Sequence, residues 1–107
     1  MFYTLASKLA VVNGTDAFSA AVPMGGDNAL QLSVTVFANT ATSITVVIEV
    51  SNDGENWSLL VSYAGLVLGY AAPNLSTSVG FKLARLHYTV VGAGTVILAA
   101  DLNTSFQ

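Results

Sequence analysis

Residues 43–63 read SITVVIEVSNDGENWSLLVSY, two apolar runs on either side of a polar turn. In the first run Ile44, Val46, Ile48 and Val50 share one face of a strand and Thr45, Val47 and Glu49 the other, because successive strand side chains point to opposite sides. Ser51-Asn52-Asp53-Gly54-Glu55-Asn56 supplies the connection, since Asn, Asp and Gly tolerate the backbone angles of a tight hairpin. The return run is expected to turn Trp57, Leu59, Val61 and Tyr63 toward the same core.

The same period of two extends outward from this hairpin. Leu30, Leu32, Val34 and Val36 alternate with Gln31, Ser33 and Thr35, behind a turn at Gly25-Gly26-Asp27-Asn28 and ahead of a loop at Asn39-Thr40-Ala41-Thr42. Downstream, Val79, Phe81 and Leu83 hold one phase and Ala84, Leu86, Tyr88 and Val90 the other, a slip explained by a β-bulge or a change of sheet. Gly92-Ala93-Gly94 turns the chain into a last strand from Thr95 to about Leu102. With further strands over residues 3–12, 18–22 and 69–75, the count reaches about eight. The fold class is therefore all-β, a two-sheet antiparallel sandwich filling one domain over residues 1–107.

Composition narrows the function classes. Charged residues are 8% of the chain, against roughly 25% in an average soluble domain, and the polar surface falls to 10 Ser, 10 Thr and 7 Asn. Lys8, Lys82 and Arg85 are the only fixed cations and the net charge is −3, which leaves no patch to neutralise a run of phosphates; nucleic acid is not an expected partner. The chain has no cysteine, so disulfides and thiolate metal sites are excluded.

Two segments invite membrane or export readings. Residues 1–23 lack a cationic start and their apolar stretch, residues 9–12, is too short for a signal peptide, so none is expected. Residues 58–72 are uncharged and contain Gly65-x-x-x-Gly69, but 15 residues fall short of the roughly 20 that span a bilayer. They read instead as two strands joined at Ala64-Gly65, and no membrane partner is expected.

Several strands are apolar on both faces, at Val46-Val47-Ile48, Leu59-Leu60-Val61 and residues 96–100. A sandwich covers only one face of each strand, and a neighbouring subunit is the natural cover for the other; a closed barrel with scattered surface Val and Ala is the plainer alternative. The ends carry aromatics where chains normally fray, and at least one of Phe2 and Phe106 is expected to dock in a groove of its own sheet or of a neighbour. Phe2, Val47, Leu60, Ile97 and Phe106 are accordingly the candidate interface residues of a homo-oligomer, a trimer or larger.

No catalytic, cofactor-binding or metal residue stands out. His87 is the only histidine and lies in the polar phase of its strand with Arg85 and Thr89, where a surface or interface imidazole is the ordinary reading. Asn52, Asp53, Glu55 and Asn56 offer oxygens for Ca²⁺ but lack EF-hand spacing, and a hairpin turn accounts for them. Trp57 follows that turn in the inward phase and reads as core. Asn-x-Ser/Thr sequons at Asn13, Asn56, Asn74 and Asn103 matter only in a secreted chain.

IEVSNDGENWSLL over residues 48–60, KLARLHYTVV over 82–91 and GTVILAADL over 94–102 together resemble a recurrent β-sandwich pattern. A strand ends in Ser-x-Asp-Gly-x-x-Trp, and a later Ala-Arg strand precedes a Gly-rich hairpin. Such modules are similar to jelly-roll or immunoglobulin-like domains of tailed-phage virion proteins, adhesion modules and some sugar-binding modules. The resemblance covers about half the chain. It implies a non-enzymatic, self-assembling subunit, a capsid decoration or tail component made in the host cytoplasm and built into the virion beside another structural protein. The alternative it carries is a carbohydrate-binding or adhesion module stacking sugars on Trp57, Tyr63, Tyr70 or Tyr88; most aromatics, however, fall in phases that read as buried. A small hydrolase built on His87 is the third class.

Overall fold

A computed structural model describes residues 1–72, 76 and 79–106. They form nine strands and no helix: β1 (Phe2–Val12), β2 (Ala17–Phe18), β3 (Val22–Pro23), β4 (Ala29–Asn39), β5 (Ser43–Ser51), β6 (Ser58–Leu66), β7 (Gly69–Ala71), β8 (Leu83–Val91) and β9 (Thr95–Ser105). All pair antiparallel in two sheets. Sheet A has the order β1-β9-β4-β7, and sheet B the order β2-β8-β5-β6 with β3 also on β8.

Counting β2 and β3 as one interrupted strand, the pairing follows a single scheme. The first strand pairs the last, the second the last but one, β4 pairs β7, and β5 pairs β6 through the turn at Asp53-Gly54. Only the β5–β6 connection stays within one sheet; every other one joins strands of different sheets.

The alternation read from the sequence is the one that fills that core. Leu30, Leu32, Val34 and Val36 from β4 meet Ile44, Val46, Ile48 and Val50 from β5, with Ala84, Leu86, Tyr88 and Val90 from β8 and Val96, Leu98, Ala100 and Leu102 from β9; all are buried. The phase slip before Ala84 is the entry into β8: Val79 is buried ahead of the strand, and residues 80–82 are not part of it.

Four expectations are corrected. The break in residues 58–72 lies at Val67-Leu68, not Ala64-Gly65, and the strands on either side belong to different sheets. The strand expected over 18–22 is two short pieces, because Ser19 caps the gap: its N–H donates to the Leu86 carbonyl and its Oγ accepts from the Leu86 N–H, both at 2.8 Å. In β6 the inward phase fails at Leu59. Glu49 pairs Leu59 while Ile48 pairs Val61, so Leu60 is an extra residue, Leu59 swings out and is 64% exposed, and Val61 and Tyr63 return to the core. The last strand runs on to Ser105, and of the strand expected over 69–75, residues 73–75 lie outside the described residues.

Candidate functional site

The outer face of sheet B gathers side chains from four places in the chain. Alternation on β8 buries Ala84, Leu86 and Tyr88 and sends Arg85 and His87 outward. On β5, Glu49 stands opposite Arg85 and Val47 opposite His87, while on the other flank Phe18 of β2 stands opposite His87. Asp16 lies just before β2 and Trp57 just before β6.

These groups form a continuous chain of contacts. The Arg85 Nε donates to Glu49 Oε1 at 2.7 Å, and its guanidinium carbon lies 4.2 Å from the Trp57 ring centre and 4.4 Å from that of Phe18. Phe18 stacks in turn on His87, with ring centres 4.2 Å apart and planes 18° from parallel. His87 sets Nε2 3.2 Å from Asp16 Oδ1 and Nδ1 3.4 Å from Glu49 Oε2, contacts that become ion pairs when the ring is protonated. The Trp57 Nε1 donates to the Gly54 carbonyl at 3.2 Å and ties the far end of the row to the hairpin turn. Arg85 and Glu49 are both less than a quarter exposed, so their pair is screened less than one on an open surface.

That turn is held from within. The Asp53 carboxylate accepts from the Glu55 and Asn56 N–H groups at 2.9 and 2.8 Å, from the Asn56 side-chain amide at 2.7 Å and from the Ser51 hydroxyl at 3.0 Å. Backbone donation from Asn56 and Glu55 is the main cause that holds its carboxyl well below the usual carboxylate range. Of the oxygens weighed for Ca²⁺, those of Asp53 thus serve the turn, and Asn52 Oδ1 accepts from the Lys82 N–H at 3.2 Å. Among the described residues no group of three or more His, Asp or Glu is arranged to hold a metal ion.

No family model matches the sequence, and no curated protein matches it either. A solved structure does resemble it. The crystal structure of the SPBc2 prophage-derived protein YomS superposes with a TM-score of 0.63 over 98% of this chain and 92% of that chain, at 11% sequence identity. At that identity the likeness speaks for the fold.

The candidate residues are distributed as follows. Phe2 and Phe106 are 62% and 76% exposed, so neither docks in a groove of its own sheet. Val47 is only 9% exposed and has little surface to offer, Leu60 is half-buried against the core, and Ile97 is half-buried on β9. Trp57 is corrected from core to the outer face of sheet B, because the Leu60 bulge resets the phase ahead of it. The proposed sugar platform is also dispersed: Tyr88 is wholly buried, Tyr63 packs on the core, and Tyr70 lies against Ser33 of sheet A, its hydroxyl 3.3 Å from the Ser33 Oγ.

Sequence reasoning missed the row itself and much of the exposed apolar surface. Phe2, Phe18, Phe37, Tyr70 and Phe106 are all about half exposed or more, although most aromatics read as buried. For the row a signal existed: Arg85 and His87 share a phase, and pairing β8 with β5 would have set Glu49 beside them. For Phe37 none did, because it is the extra residue of a bulge between Val36 and Ala38. Among the described residues no helix is long and apolar enough to cross a membrane.

Proposed function

We propose that this chain is a non-enzymatic jelly-roll subunit that assembles with copies of itself, a trimer or larger, as a capsid decoration or tail component of a phage-like virion. The observation that carries the reading is the exposure of Phe2, Phe37, Leu68, Tyr70 and Phe106 on a chain with 8% charged residues. A free monomer of this size gains solubility from charge and rarely leaves so many large apolar groups in water; an interface covers them.

Two further facts support it. First-with-last, second-with-last-but-one pairing is the order that a wrapped hairpin would give, which supports the jelly-roll reading, and jelly rolls are common among viral capsid domains. YomS, whose fold the chain shares, is named as prophage-derived. On this reading the chain is made in the host cytoplasm, joins another structural protein in the particle, and needs neither nucleic acid, membrane nor cofactor. Phe2 and Phe106, exposed in the single chain, would then dock on a neighbour.

Mass photometry of the purified chain at micromolar concentration tests the reading. A closed oligomer of three or more copies is the expected result, and gold-labelled antibody to the chain should then mark particle surfaces in electron micrographs. A monomer throughout the range overturns it.

A further inference from the structure

Four connections lie at one end of the sandwich: residues 13–16, 40–42, 67–68 and 92–94. The pairings Val12 with Thr95, Asn39 with Val96, Ser43 with Val91, and Ile44 with Leu66 bring them there. Residues 13–16 and 40–42 are each bonded to residues 92–94 or to the strand ends that flank them. The Asn13 N–H and side-chain amide donate to the Gly94 and Val90 carbonyls at 3.0 and 3.2 Å, the Thr42 N–H to the Val91 carbonyl at 2.9 Å, and the Thr40 N–H to the Thr95 carbonyl at 3.0 Å. This end is preorganised, which lowers the entropic cost of ordering it in a contact.

Its surface is apolar and almost uncharged. Val12, Val67, Leu68 and Val91 are 45–62% exposed there, with Phe37 close by at 50%. Residues 9–15, 37–48, 56–72 and 86–100 contain no Asp, Glu, Lys or Arg. Asp16 is the one charge in the four connections, and it is turned onto His87 on the outer face of sheet B. Lys8, the nearest cation, reaches over Phe37. The opposite end, by contrast, holds Asp27, Asp53 and Glu55 with Lys82.

We infer that this uncharged end is where copies of the chain meet, a surface that rests on the assembly reading above and gives it a location. The occupant is a second copy because of where the charge sits. Copies converging on this end bring only Asp16, which is turned onto His87, near its own image, and their acidic ends are held apart by the molecule's long dimension of 39 Å, several Debye lengths at about 8 Å each. A contact between copies through the other end would oppose three carboxylates to their own images, so Phe2 and Phe106, exposed toward that end, are left to the other structural protein of the particle. The size also fits: a cross-section of 26 × 19 Å offers on the order of 500 Å² before side-chain relief, the scale of one partner's share, about 800 Å², in a standard interface.

Sedimentation velocity on the full chain over a concentration series tests the inference, with Leu68→Asp and Val91→Asp against Leu59→Asp on sheet B. The two end variants should raise the apparent dissociation constant by roughly tenfold or more, since each would bury an unpaired charge, while Leu59→Asp leaves it unchanged. Leu68→Ser and Val91→Thr, gentler changes at exposed positions, should shift it the same way by less, and circular dichroism melts report that each variant is folded. An oligomer that both end variants leave intact overturns the location while the assembly reading stands. A wild-type chain that stays monomeric overturns both.

Discussion

Gly94 lies against the backbone of Thr40 so closely that a Cβ built on it would sit 2.7 Å from the Thr40 carbonyl carbon and oxygen. Its φ of +142° adds a conformation that side-chain-bearing residues avoid. Gly94→Ala should therefore cost about 2 to 4 kcal/mol and lower the melting temperature by about 10 °C or more. Gly14→Ala, where a Cβ meets nothing within 4 Å, should cost about 1 kcal/mol for the positive φ alone. Equal losses in paired thermal melts would show that the close approach to Thr40 is unimportant.

The Tyr88 hydroxyl is buried in the sandwich and meets no hydrogen-bond partner among the described residues. Such a group costs on the order of 1–3 kcal/mol, so Tyr88→Phe should stabilise the chain by about 1 kcal/mol in urea unfolding. Burial also pushes the phenol above its ordinary range, which makes the unfolded chain the first to lose the proton near pH 10. Stability present below that pH should fall as pH rises through it, and the fall should be shallower in Tyr88→Phe. A destabilised Tyr88→Phe would mean the hydroxyl has a partner after all.

Trp57 is the only tryptophan, and its ring lies against the Arg85 guanidinium, so its fluorescence reports directly on the row across sheet B. Arg85→Ala should change both the emission maximum and iodide quenching, and cost about 1–2 kcal/mol from the lost ion pair and ring contacts. Arg85→Lys keeps the charge but not the flat, stacking group, and should recover only part of the spectrum. Unchanged emission in both variants would separate Trp57 from Arg85.

Asp53 holds its charge to lower pH in the folded chain than in the unfolded one, whose carboxyl titrates near about 3.9. The unfolded chain therefore binds the proton first, and the stabilisation present above about pH 4 fades as pH falls below it. Asp53→Ala should lower the melting temperature at pH 7 and flatten its dependence between pH 4 and pH 2. Acid melts that run parallel in the two proteins would remove Asp53 as the cause.

The core was legible because β4, β5, β8 and β9 are central strands, where one face must be apolar and a slip would expose it. Leu32, Ile48, Leu86 and Leu98 could be placed by counting alone. The bulges were not legible. Leu59, Phe37 and Lys8 sit at bulges in β6, β4 and β1, where one extra residue reverses every assignment beyond it. The row from Trp57 to Asp16 needed strand order as well, since its members are separated by up to 71 residues and meet only because β2, β8 and β5 are neighbours.

The pairing of β1 with β9 also sets a clock. The earliest-made strand of this domain hydrogen-bonds along its length to the latest-made, so sheet A stays unclosed until β9 has been synthesised. Contacts so distant in sequence fold slowly, on the millisecond-to-second scale typical of β-sandwiches. During that interval β1 and β4 present open edges, each a template for the wrong neighbour. For a chain read as destined for assembly, the order of events matters: β9 has to take its place before another copy's strand can.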